Sequence, residues 1–207
     1  MKVDYSTNGP YCRKEIQTLG GIRLSKISLV PHNNIYAKSM SSLSSAPQVK
    51  NALGLTNDQT SLEGTIDFIE FIREQERLGK QFSRAILDQS ENFIGVITLK
   101  DIDNVNKTSH IGTWIGHQYW GKGYNLLAKK EILYKAFTEL NLDYVFAGAK
   151  ISNIRSIKSQ EKLPFMRIEV QNEFPDEHKK LESEVNSPCI LNVVEKEIFL
   201  KWYLQTE

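Results

Sequence analysis

The chain has 207 residues, 40% of them hydrophobic and 25% charged, which suffices for one domain with a real core. Twenty-six lysines and arginines against twenty-five acids leave a net charge of +1, so no global field recruits nucleic acid or an anionic membrane. No run approaches the roughly 20 apolar residues of a membrane helix, and the opening "MKVDYSTNGPYCRKE" lacks the apolar core of a secretory leader, so the chain reads as cytoplasmic.

Residues 1–18 form an N-terminal extension with no readable counterpart. Ile22 to Val30, "IRLSKISLV", alternates apolar and polar residues as a half-buried strand does. The small, polar "SMSSLSSAPQ" reads as a loop or a ragged helix end. Thr60-Ser61-Leu62-Glu63 carries a capping-box pattern, and Ile66, Ile69 and Ile72 follow at helical spacing, predicting a helix from Ser61 to Leu78. Phe82 to Gln89 and Phe93 to Ile102 are strand patterns joined by the turn-prone Ser90-Glu91-Asn92, hence a hairpin. Ser109 to Gly116 adds a third strand and completes an antiparallel meander.

From Tyr124, the residues Ala128, Ile132, Ala136 and Leu140, with Leu133 and Phe137 beside them, make one apolar stripe on a helix ending near Asn141. Tyr144 to Ala149 reads as a buried strand and Asn153 to Lys162 as a shorter helix. "FMRIEV" and "EIFLKWY" are the last strand candidates, separated by the charged "QNEFPDEHKKLESEVNSP", a solvated surface excursion with room for a helical turn. Cys12 and Cys189 are lone thiols without metal-ligand spacing, and no metal is expected.

Between the third strand and the long helix lies His117-Gln118-Tyr119-Trp120-Gly121-Lys122-Gly123-Tyr124. A glycine-containing loop between a strand and a helix points free N–H groups at an anion, aided by the positive end of the helix dipole. A Walker loop would close with Lys-Ser/Thr, and a Rossmann fingerprint needs a third glycine near Leu126; neither is present.

Gln118-Tyr119-Trp120-Gly121-Lys122-Gly123 matches the Q/R-x-x-G-x-G/A loop of the GNAT acetyltransferase superfamily. The surrounding "IGTWIGHQYWGKGY" and the later "NIRSIKSQEKLPF" resemble its RimJ/RimL-type branch of ribosomal-protein N-terminal acetyltransferases. The likeness runs from about Leu19 to Arg167 and resumes in the last expected strand, Glu197 to Tyr203. It implies the GNAT fold, an α+β (α/β) domain over 1–207: a mixed, mostly antiparallel sheet of about seven strands flanked by helices, with splayed strands holding acyl-CoA and 171–192 as a variable excursion. It further implies an acetyl-CoA-dependent N-acetyltransferase, a monomer or homodimer whose partners are acetyl-CoA and an amine, either a protein N-terminus or a small molecule.

By this resemblance Gln118, Tyr119, Trp120, Gly121, Lys122, Gly123 and Tyr124 hold the pyrophosphate, and the backbone of Trp114, Ile115 and Gly116 grips the acetyl and pantetheine arms. Asn153 and Ser156 face the pantetheine end, Ser156 as the group that protonates the leaving thiolate. Asn153 equally fits a helix N-cap, and Ser156 a solvated helix residue. His110 stands where many relatives carry Glu and is a candidate base for the amine; a strand-edge histidine is the alternative, and Asp101 and Asp103 are weaker candidates. Pro164 replaces the glycine usual after "EKL" and alters the turn near the acceptor side. A non-catalytic acyl-CoA-binding module is the competing class, and a nucleotide-binding protein a distant third.

Overall fold

The computed structural model describes residues 26–206, so residues 22–25 of the expected first strand, Cys12 and the extension 1–18 lie outside the described residues. A short strand β1 (Ile27–Val30) leads through a 3-10 turn at Asn34–Tyr36 into α1 (Ala37–Ser44), α2 (Pro47–Leu53), α3 (Asn57–Thr60) and α4 (Leu62–Arg77). Then come β2 (Phe82–Asp88), β3 (Phe93–Asp103), β4 (Thr108–Ile115), α5 (Tyr124–Thr138), β5 (Tyr144–Lys150) and α6 (Ile154–Glu161). The chain closes with β6 (Met166–Arg167), α7 (Pro175–Val185), β7 (Cys189–Glu195) and α8 (Lys196–Thr206).

The seven strands form one sheet in the order β1-β2-β3-β4-β5-β7-β6. Every pairing is antiparallel except β4 with β5, the two strands joined by the α5 crossover. Asp88 builds the β2–β3 turn: its Oδ1 accepts from the N–H of Ser90 and of Asn92, while Glu91 takes φ 60°. Asp103 does the same at the β3–β4 turn through Val105 and Asn106.

On one face of the sheet, α5 lays Ala128, Ile132, Leu133, Ala136 and Phe137 over Ile94, Ile97, Leu99, Ile111 and Ile115, with Phe165 and Phe199 closing the cluster. Each fully buried Ile, Leu or Phe side chain among them is worth about 1.5–3 kcal/mol. On the opposite face α1 and α4 cover β2 to β4 through Met40, Leu43, Ile69, Ala85 and Val96. Farther along, α7 covers β5 and β7 through Leu181, Phe146, Leu191 and Val193.

Several expectations are corrected. "SMSSLSSAPQ" is α1 and the start of α2: Ala37, Met40, Leu43 and Ser44 form its buried stripe, and Ser44 and Ser45 return their hydroxyls to the carbonyls of Ser41 and Ser42. The capping box is Thr56 with Gln59, whereas Ser61 caps α4 by accepting from Gly64 N–H. The stretch 171–192 is not a loose excursion, since it supplies α7 and part of β7, which sits inside the sheet between β5 and β6. "EIFLKWY" is helix α8, not a strand, and "FMRIEV" pairs only through Met166 and Arg167. Pro164 takes the second position of a turn closed by Met166 N–H to Leu163 C=O at 3.1 Å, where a fixed φ and a missing donor cost nothing. Among the described residues no helix is long and apolar enough to cross a membrane.

Candidate active site

One side of β4 is paired throughout and the other along three residues only. Against β3 the register runs from Asp103↔Thr108 to Gly95↔Ile115. Against β5 it stops at His110↔Phe146, after which β5 stays with β7 as far as Lys150↔Cys189. A seam therefore opens beside Ile111–Ile115. Gly116 donates its N–H to Ile94 C=O at 2.8 Å, and antiparallel alternation turns the N–H of Trp114 toward β3 as well. Of the three residues expected to offer amides, only Ile115 points its N–H into the seam, where the amide of Thr113 joins it. Thr113 shares a face with the core residues Ile111 and Ile115, and its Oγ1 is buried with no hydrogen-bond partner. A seam lined by unanswered donors fits an extended polar ligand such as a pantetheine arm.

Beyond the seam, the expected loop is built around two left-handed glycines. Gly121 has φ 76° and Gly123, the N-cap of α5, has φ 81°. The space where a Cβ of Gly121 would stand is open, so backbone conformation rather than crowding calls for glycine there. Leu126 and Leu127 donate back to Gly123 C=O, and the amides of Gly123, Tyr124 and Asn125 ahead of them have no carbonyl behind them within the helix. Trp120 locks the loop to the strand by donating Nε1–H to Ile115 C=O at 2.7 Å, and His117 and Tyr119 pack on Trp120 and Tyr124. Gln118 and Lys122 lie on the exposed side, with the Lys122 ammonium 5.4 Å from the Tyr119 ring centre.

The second wall is α6. Asn153 is its N-cap, accepting from Ser156 N–H at 3.1 Å. The half-buried Ser156 hydroxyl accepts from Gln160 Nε2, which also reaches Gly148 C=O, while Gln160 Oε1 accepts a hydrogen bond from Asn192 Nδ2 at 2.7 Å. α6 is tied to the other side of the seam twice. Arg155 stacks its guanidinium 3.4 Å from the Trp120 ring centre, and Asn125 Nδ2 donates to Ser159 Oγ at 2.8 Å. Arg155, Gln160, Asn192 and Asn125 were not singled out from the sequence. Arg155 lies inside the recognised "NIRS" block, but its partner is visible only once the loop and α6 are brought together.

His110 lies at the closed end of the seam. It is 4% exposed, its ring packs on Phe146, and its Nε2 is 2.7 Å from Glu177 Oε2 on α7. Leu181 of the same helix fills the space above Gly148, and Glu184 pairs with Lys100 at 2.5 Å. Asp101 sits at the β3 bulge near Lys100 and Lys180. Asp103 is held below the usual carboxylate range by the Asn106 and Val105 amides of its turn. Both lie at the end of β4 remote from the loop. Cys189 is buried, and burial raises its thiol pKa, the reverse of what a nucleophile needs.

A family model for the acetyltransferase (GNAT) domain matches residues 27–166. The chain belongs to the GNAT acetyltransferase family. It is an acyltransferase by that membership. Over 125 residues, 59% of this chain and 69% of the relative, it is 30% identical to an uncharacterized N-acetyltransferase p20 of Bacillus licheniformis. Over 72 residues it is 35% identical to a putative ribosomal N-acetyltransferase YdaF of Bacillus subtilis, covering 35% of this chain and 39% of that one. Among solved structures, Mycobacterium smegmatis RimJ in complex with CoA-disulfide superposes with a TM-score of 0.64 at 16% identity, over 83% of this chain and 82% of that one, a likeness of fold. Helix α7, strand β7 and helix α8 lie beyond the residues matched by the family model. Among the described residues no group of three His, Cys, Asp or Glu is placed to hold a metal.

Proposed function

We propose that the protein is a cytoplasmic N-acetyltransferase that moves an acetyl group directly from acetyl-CoA to a primary amine, with a protein N-terminus as the acceptor class. The observation that carries this is the parting of β4 from β5 after His110↔Phe146, directly ahead of the loop with its two left-handed glycines. The amides of Gly121 to Asn125 hold the pyrophosphate, and Lys122 and Gln118 stand beside it. The Thr113 and Ile115 amides, fixed in the strand, meet the negative charge that develops on the thioester oxygen when the amine attacks. Donors that need no reorientation during the reaction are the main source of such stabilisation. Ser156 gives its proton to the departing thiolate, and Gln160 holds its hydroxyl in place.

The acceptor reaches the seam from the face opposite α5, where Gly112 is exposed with open space above it. His110 is 4% exposed beneath α7, with its Nε2 on Glu177, so no solvent-accessible imidazole faces that entrance from β4. An α-amine, titrating near pH 8, needs little help to lose its proton, whereas a lysine-like amine near pH 10 needs a base. This favours an N-terminal amine, and one relative is named as a putative ribosomal N-acetyltransferase. The test is calorimetric titration with acetyl-CoA, followed by thiol release against peptides with free N-termini, polyamines and aminoglycosides. Micromolar binding with release on the peptides is the expected result. Release only on polyamines or aminoglycosides would replace the acceptor class, and binding without release on any acceptor would favour a non-catalytic acyl-CoA-binding module.

A further inference from the structure

Lys129 has no part in the machinery described so far. It lies in the second turn of α5, is 6% exposed, and among the described residues has no hydrogen bond or ion pair. It stands one helical turn after Asn125, which meets Ser159 of α6, and one before Leu133, in the stripe that α5 turns toward the sheet. Helical side chains lean back toward the N-terminus of their helix, which for Lys129 is the end that carries the glycine loop. Its neighbour Lys130 is differently placed, with its ammonium over the rings of Trp202 and Tyr203 on α8.

We infer that Lys129 is the buried counter-charge of the acyl-CoA site, meeting the ligand's phosphates from inside the cleft while the amides of Gly121 to Asn125 meet them from the helix end. The inference rests on the acyl-CoA reading of the seam. An ammonium shut away from water without a carboxylate costs the fold stability, and a site that supplies an anion removes that cost. Burial alone lowers the Lys129 amine to about 8, so an anion brought beside it would favour its charged form.

The probes are coenzyme A and pantetheine, which share the arm and differ in the phosphates, titrated calorimetrically into the wild-type protein and Lys129→Met. Methionine keeps the length of the stem and removes the charge. The variant is expected to melt above the wild type without ligand, to bind coenzyme A at least tenfold more weakly, and to bind pantetheine unchanged. In the wild type, the carbon-13 resonance of the Lys129 ε-carbon is expected to move on adding coenzyme A and not pantetheine, a readout that needs no variant. Equal coenzyme A affinity in the two proteins, or an unmoved Lys129 resonance at saturation, would overturn the inference and leave the acyl-CoA reading standing. Failure of the wild type to bind coenzyme A at all would overturn both.

Discussion

The two ends of β4 are made of the same backbone and do different work. At the Thr108–His110 end both edges of the strand are paired, His110 is pinned to Glu177, and α7 lies across the face. At the Gly112–Ile115 end only the β3 edge is paired, Gly112 is bare, and the Thr113 hydroxyl is buried without a partner. On the proposed reading, the difference is that withholding a neighbour strand leaves room and free amides for an extended ligand. The closed end supplies the rigidity that holds the unanswered amides of the open end in place. Changes at the open end should therefore alter binding and leave the fold intact, and changes at the closed end the reverse.

The largest effect is expected at the open end. Gly123→Val places a β-branched residue at φ 81°, which a side chain resists by about 1–2 kcal/mol and which moves the loop amides off their line. Acetyl-CoA affinity should fall by about 100-fold or more, close to 3 kcal/mol, with the melting temperature within a few degrees of the wild type. Next is His110→Ala at the closed end, which strips Glu177 of its partner and opens a gap beside Phe146. Its expected cost is about 2–3 kcal/mol in urea unfolding, with turnover per folded molecule little changed. A loss of turnover of about 100-fold at unchanged stability would instead make His110 the base.

His32, which follows β1 at the far edge of the sheet, is a control outside the comparison. Its Nε2 is bonded to Ser83 Oγ at 2.9 Å, its Nδ1 is buried without a partner, and burial, with Arg84 beside it, lowers its pKa to about 4. The unfolded chain therefore takes up the proton first. Stability is fully present above pH 6.5 and is lost as the pH falls toward 4, on the order of 2 kcal/mol by about pH 5. His32→Leu should flatten that slope in urea melts and leave acetyl-CoA affinity unaltered. The smallest effect is that of Ser156→Ala. Turnover should drop about tenfold, or ~1.4 kcal/mol in the barrier, while acetyl-CoA affinity stays within about twofold; equal turnover would return Ser156 to an ordinary helix position.

The open end was legible in the sequence because its determinants are local. Two glycines, a strand pattern before them and a 3.6-residue stripe after them all lie between Ser109 and Leu140, and much of the family resemblance rests on the same stretch. The partner elements were harder to read. The apolar residues of α8, Ile198, Leu200 and Trp202, alternate as on a strand, while Phe199, Trp202 and Tyr203 fit a helix, and only packing on Phe137 and Phe165 decides. β7 carries Asn192 in its middle, fully buried and made tolerable by Gln160 thirty-two residues away, a bond that no local pattern announces. α7 did carry signals: Pro175 at its start, acids in its first turn and Asn186 as a left-handed cap. Its short apolar stripe, Leu181 with Val185, was hidden by the charges around it. The free amides of Thr113 and Ile115 follow from strand register, and register emerges only when the strands are paired.

The central claim is that the open end of β4 and the glycine loop form one acyl-CoA site. Amide hydrogen exchange, followed residue by residue with and without coenzyme A, tests it most directly. The account predicts new protection at Thr113, Ile115 and Gly121 to Asn125, with Thr108 to His110 protected equally in both states. Saturating coenzyme A with no change at Thr113 and Ile115, or with protection confined to a surface away from β4, would contradict it.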